Sequence, residues 1–412
     1  MVFLRVMLLL CALGWDTLGI AQDTIFFRNG RVAEIGELDK QGLRQGRWVR
    51  YQQHSKIKII SNYLNGVEEG PYTVYNDTVL TVKGTYVNGL LEGDWVMYFN
   101  HGPLLKRGQF IHGKDEGLWE TFDEFGQLER KEYFKNDARH GEWKQFFNNR
   151  LRDEGRYENN LQVGTWRRYH ENGQLAGLSY FKNGAYDSLF LSYNDRGALL
   201  DSGLYRNGKR EGFWKVFGPH DTTFAFGHYK DDHRVGQWRE YYLDGKLKTL
   251  LTSEAGPINT EDGYRLHGDY SLFDKTGLVK SCLFYWHGKA QGTWRMYFPN
   301  GCEEYIMAYE KGELRQWLTF YPTGFLKENR TYVNNQLNGL LLFYYPNGQL
   351  QYYSTIEQGL IVGMQYEWWP NGHLKKYGPT KNGRYHGHWK IYNEDGSLYV
   401  EGEYVDGVWN GG

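Results

Sequence analysis

Residues 164–184 read GTWRRYHENGQLAGLSYFKNG. Within them Trp166 to Tyr169 is a short aromatic run, Asn172-Gly173 is a two-residue hairpin signal, and Leu175 to Phe181 is a return strand. The dipeptide Asn172-Gly173 is expected to form a type I′ turn, which needs positive φ at both central residues. A second turn at Asn183-Gly184 hands the chain on to the next hairpin. One such unit therefore supplies about two antiparallel strands.

The same spelling recurs outward in both directions at a spacing of 23 to 24 residues. A glycine followed two positions later by an aromatic appears at Gly46/Trp48, Gly70/Tyr72, Gly93/Trp95, Gly117/Trp119, Gly141/Trp143 and Gly164/Trp166. It continues at Gly212/Trp214, Gly236/Trp238, Gly268/Tyr270, Gly292/Trp294 and Gly387/Trp389. Ser188/Phe190, Arg315/Trp317, Gly339/Leu341 and Gly363/Gln365 fall in phase, and a last copy starts at Gly411. About sixteen units on one pitch predict an all-β, elongated antiparallel meander of hairpin repeats, with function on a surface instead of in one cleft. The pitch fails once, where 32 residues separate Gly236 from Gly268; the extra residues read as a longer surface loop around Leu250 to His267.

Composition agrees with short strands and tight turns: 52 glycines, 17% aromatic residues and only 9 prolines in 412 residues. At the N-terminus Arg5 precedes an apolar run from Val6 to Leu13, and Gly19-Ile20-Ala21 fits a secretory cleavage site. The run is too short to span a bilayer, so the mature chain is expected to be exported (periplasmic, cell-surface or secreted) without a transmembrane span. Cleavage leaves 47 basic against 48 acidic side chains, a balance that gives no argument for nucleic acid as a partner. The expected organisation is an export signal over residues 1–21, an N-terminal part of the array over 22–248, a longer loop over 249–267, and a C-terminal part over 268–412. Cys282 and Cys302 are expected to be unpaired, because register sets them about two ladder spacings apart.

Strand alternation places each Trp and the Tyr or Phe three residues later on opposite faces. The residue after Trp shares the Tyr/Phe face, and in six of nine clean copies it is basic: Lys144, Arg167, Lys215, Arg239, Arg295 and Lys390. Such a row is a candidate binding strip for an anionic partner. The alternative is a solvated face whose Lys and Arg cover rings and pair with strand acids such as Glu132, Glu154 or Asp201. His386 and His388 suggest half a metal site with no third ligand nearby, so neither metal nor cofactor is expected. Adjacent carboxylates such as Glu303-Glu304 and Asp231-Asp232 point apart on a strand, which is wrong for shared acid and base work. A non-enzymatic role follows as the expectation.

These residues resemble the MORN (membrane occupation and recognition nexus) repeat in its bacterial variant form, often labelled YwqK-like antitoxin. The spaced pattern G-x-W-x-x-Y-x-x-N-G-x-L-x-x-x-G-x-Y-x-N-G is carried by Gly141 to Asn160 and Gly164 to Gly184, and the resemblance covers roughly Gly30 to Gly412. It implies a non-catalytic platform that binds a protein or cell-envelope component. The Trp-Tyr hairpins also look like choline-binding and glucan-binding cell-wall repeats, which implies the alternative of a glycan-binding aromatic ladder. Those two readings differ in whether rings such as Trp119 and Trp143 are open to solvent.

Overall fold

The computed structural model describes residues 22–217, 223–254 and 265–411. The expected export signal lies outside them, as does the stretch 255–264. Among the described residues there is no helix, and 37 antiparallel strands form one open sheet in which each hairpin hands on to the next. Strand Leu161–Tyr169, for example, pairs with Arg150–Glu158 before it and Leu175–Lys182 after it. By contact the chain divides into two compact units, Met1–Leu199 with Tyr205–Gly208, and Leu200–Leu204 with Lys209–Gly412. Strands Leu247–Glu254 and Arg265–Phe273 pair directly, so residues 249–254 and 265–267 of the expected loop are strand instead. The ladder hydrogen bonds continue right up to Glu254 and resume at Arg265.

Two turn chemistries alternate along each unit. At the first turn the His170 N–H donates to the Gln174 carbonyl at 2.9 Å and the Gly173 N–H to the His170 carbonyl at 2.9 Å. The loop thus has three residues, and Gly173 (φ 85°) has the positive φ while Asn172 does not. This corrects the type I′ expectation: a type I turn closed by a left-handed glycine takes one more residue than a type I′ turn. Asn172 serves in another way, its Oδ1 accepting from the Gln174 N–H at 2.9 Å and its Nδ2 donating to the Asp195 carbonyl of the next hairpin at 2.6 Å. Asn300, Asn347 and Asn371 make the same step to Pro322, Pro370 and Glu394, at 2.8, 2.8 and 2.7 Å. The second turn is the type I′ one, with φ positive at both Asn183 (51°) and Gly184 (81°).

The array glycines have their own duty. Between Glu154/Arg167 and Arg156/Val163 the register slips, because Gly164 and its neighbours bulge from the strand. Gly164 sits at φ 65°, in the left-handed region, and Ser188 holds the equivalent position at φ 70°. Arg315 does not adopt positive φ, and there the slip, between Ala308/Gln316 and Tyr309/Leu314, is one residue smaller. That lost residue makes the Gly292-to-Arg315 unit 23 residues long. The other 23-residue units have a shortened first turn: Asn76 pairs Val79, and Phe147 pairs Arg150, each across two residues.

Where a Trp follows two residues on, as at Trp119, Trp166 and Trp389, the bulge tips its indole over the preceding strand. A Cβ on Gly155 would stand 2.2 Å from Trp166, one on Gly108 2.1 Å from Trp119, and one on Gly378 2.3 Å from Trp389. The second glycine of the repeat pattern is therefore required by close approach, not by backbone angle. Trp48, Trp214, Trp238 and Trp389 donate their indole N–H to the carbonyl of the residue after that glycine position, at 3.1, 3.0, 3.1 and 3.0 Å. Trp119 and Trp238 are 2% and 1% exposed, so the core is a line of rings on one face of a single sheet. Burying a ring of this size removes roughly 150–250 Å² from water, on the order of 4–6 kcal/mol before entropy.

Candidate binding faces

On the opposite face, cross-strand partners form continuous rows. In the first unit one row runs Lys83, Val96, Arg107, Glu120, Lys131, Lys144, Glu154, Arg167. In the second unit it runs from Lys215 through Phe226, Arg239 and Leu250 to Ser271, Cys282 and Arg295. It ends with Tyr353, Tyr366, Tyr377, Lys390 and Glu401. All six basic residues singled out by the sequence lie on these rows.

Their environments differ. Lys144 Nζ stands 3.9 Å from Glu154 Oε2, and Arg167 Nη1 stands 3.9 Å from Glu154 Oε1, so one carboxylate lies between two cations. Tyr169 donates to the same carboxylate at 2.8 Å; burial, and then this bond, raise its hydroxyl above the usual tyrosine value. Lys215 lies over the Phe217 and Phe224 rings at 5.5 and 5.4 Å. Arg239 is exposed between Phe226 and Leu250. Arg295 Nε meets Glu303 at 3.1 Å, and Lys390 Nζ meets Glu401 at 3.0 Å. The hydrogen bond from Lys390 is the first cause that holds the Glu401 carboxyl below its usual range. Partly exposed pairs of this kind contribute about 0–1 kcal/mol each.

Of the acids expected beneath the row, Glu154 is in place and Glu132 is not. Glu132 pairs Trp119 and Trp143 across the ladder, which puts it on the indole face, where Arg130 and Arg139 hold it at 3.1 and 2.9 Å. The acid of the row one strand earlier is Glu120, 6% exposed between Lys131 at 2.9 Å and Arg107. Asp201 accepts the Phe217 backbone N–H at 3.0 Å.

Aromatic rings also collect on this face near the C-terminus. Tyr353, Tyr366, Tyr377 and Tyr392 follow one another at ring separations of 5.8, 5.7 and 6.4 Å, the last two steps nearly parallel at 9° and 10°. All four are half-buried. Trp119, by contrast, is closed to solvent, and Trp143 is half-buried.

His386 and His388 turn to different carboxylates: His386 Nδ1 to Asp406 at 3.6 Å, His388 to Glu401 and Glu403 at 3.3 Å each. The histidines that come together are others. His267 Nδ1 and His287 Nδ1 lie 3.4 and 2.5 Å from the two oxygens of Glu254, with Arg265 Nε at 2.7 Å. Burial alone would raise the Glu254 carboxyl; the His287 hydrogen bond and the charges of His267 and Arg265 outweigh it and hold it low. Sequence reasoning missed this group because its members stand on three successive strand ends, 13 and 20 residues apart. The available signal was a histidine at two adjoining repeat positions. Cys282 and Cys302 are unpaired, as expected.

A family model described as MORN repeat variant matches the chain at six places: residues 115–136, 162–183, 234–254, 337–358, 361–382 and 385–406. No curated protein matches the chain. Among solved structures, one titled "Crystal Structure of TcdB2-TccC3-TEV" is similar at 11% identity with a TM-score of 0.16, over 93% of this chain and 23% of that one. At that score the likeness carries no argument, and the chain spans about a quarter of the protein it matches.

Proposed function

We propose that this chain is an exported, non-catalytic repeat scaffold that binds a protein or cell-envelope component through the face opposite the indoles. The six MORN-variant matches support a repeat scaffold. The observation that carries the choice of face is the contrast between the two sides. The indoles are spent on packing over glycines, while the rows from Lys83 to Arg167 and from Lys215 to Glu401 present half-exposed charges and rings at ladder spacing. Acids interleave with the bases in the first row, which suits a mixed-charge protein surface better than a polyanion. The antitoxin label attached to related repeats is not needed for this reading, and an exported chain would not meet a cytoplasmic toxin.

The test is a matched pair of variants. In one, Lys144, Arg167, Lys215 and Arg239 are each changed to Glu. In the control the exposed strand-end residues Lys135, Lys182, Arg206 and Lys230 are changed in the same way. Partners are recovered from envelope extract at low and high salt. Loss of salt-sensitive recovery in the row variant alone is expected; equal, salt-insensitive recovery by both rules the row out.

A second reading, glycan binding, draws on the tyrosine series Tyr353, Tyr366, Tyr377 and Tyr392 in place of the buried Trp rings. A glycan array probed with the full chain and with Tyr366→Ala separates the two readings.

A further inference from the structure

We propose that Glu254, His267 and His287 form a surface site for a divalent transition-metal ion of the zinc class. One donor atom from each residue falls within 4.8 Å of the others. Two imidazoles with one carboxylate is a donor set that suits zinc, and ligands on a tetrahedral ion at about 2.0–2.1 Å stand roughly 3.3 Å apart. The separations from Glu254 to the two ring nitrogens, 3.4 and 2.5 Å, bracket that spacing. His287 is exposed, which leaves a remaining coordination position to water or to a partner's side chain.

Other units of the same chain show what these two positions do elsewhere. In several units the residue before the array glycine accepts the N–H of the second-turn residue in the next hairpin. Glu69 takes it from Asn88 at 2.7 Å, Glu92 from His112 at 2.7 Å, Glu116 from Asn136 at 2.9 Å, and Gln291 from Lys311 at 2.6 Å. In the unit after the pitch break, His267 takes it from His287, at a longer 3.3 Å. Asp187 and Glu211 take it at 3.4 and 3.3 Å, so His267 serves this turn about as well as a carboxylate does in those units. His287 also sits at φ 47°, a backbone position that Asn fills in most units. His112 fills the same turn position at φ 50° beside one carboxylate, Glu92 at 3.6 Å; what is particular to His267 and His287 is that two imidazoles meet a single carboxylate. Both rings converge on Glu254, with centroids 4.7 Å apart and His267 lying against Trp286 at 4.6 Å.

Arg265 is the competing cation. Its guanidinium occupies one side of Glu254, 24% exposed, and must swing away or share the carboxylate when an ion enters. Among the described residues, Arg265, Glu254 and the two histidines are the charged or titratable groups in contact there, and because protons compete with a metal ion for ligand nitrogens, binding weakens as the pH falls.

The test titrates Zn²⁺ into chelator-treated full-length chain at pH 7.5 and pH 5.5 by calorimetry, with Co²⁺ absorption as a geometric readout. His287→Asn and His267→Gln install the residues that other units use at these positions, so folding is preserved and is checked by thermal melting without metal. The expected result is one ion per chain at pH 7.5, weakened at least tenfold at pH 5.5 and at least tenfold by either substitution, with His386→Asn unchanged. No stoichiometric binding by the parent chain overturns the proposal. Undiminished binding by both variants, or loss of binding in His386→Asn, overturns it equally.

Discussion

The pairing of an indole with a glycine on the preceding strand is the contact that sets everything larger. Gly155 is not in the left-handed region, so an alanine there meets no backbone penalty; its Cβ would stand 2.2 Å from Trp166. Gly155→Ala is expected to cost about 1–3 kcal/mol through overpacking, read as a lowered urea midpoint. A change under ~0.5 kcal/mol would mean that the ring is free to lift away, contrary to its 9% exposure. That Trp and glycine both carry structural duty was legible in the repeat. Which glycine answers to backbone angle and which to close approach was not, because the two reasons leave the same letter. Only the φ of Gly164 beside that of Gly155 separates them.

Turns and bulges belong to the next scale, where unit length is explained. Removing one turn residue at Asn148-Asn149, or one bulge residue at Arg315, each shortens a unit to 23 residues, so a single number in the sequence has two structural origins. The hairpins themselves were legible from Asn-Gly punctuation. The type of the first turn was not, because Asn-Gly fits both a two-residue loop and the end of a three-residue one, and the Gln174-to-His170 closure decides it. Ser188 offers a test of the bulge. A side chain at φ 70° costs about 1–2 kcal/mol, against which glycine loses about 0.5–1 kcal/mol of chain entropy. Ser188→Gly should therefore raise stability by about 0.5–1 kcal/mol in chemical denaturation, and a decrease would contradict the role assigned to that position.

Over the whole molecule the period and the strand count were readable, and so was the row of six basic residues, since all follow from alternation within one repeated strand. Its carboxylates were only partly readable: Glu132 and Glu154 are both acids of return strands, but Glu132 stands across from Trp143 and Glu154 across from Lys144, one rung away and so on the other face. The histidine and glutamate group needed three strand ends brought side by side, beyond the reach of a reading made one unit at a time. Coupling between neighbouring hairpins through the indole line holds the array and leaves the other face free to bind. It is tested most directly by hydrogen exchange on Trp166→Ala, a substitution expected to cost about 3–5 kcal/mol. Nearest-neighbour coupling predicts that protection is lost over residues 141–205 while more distant hairpins keep theirs. Uniform loss along the chain would contradict the repeat account, and a near-neutral effect would mean an open ring and shift the binding surface to the indole face.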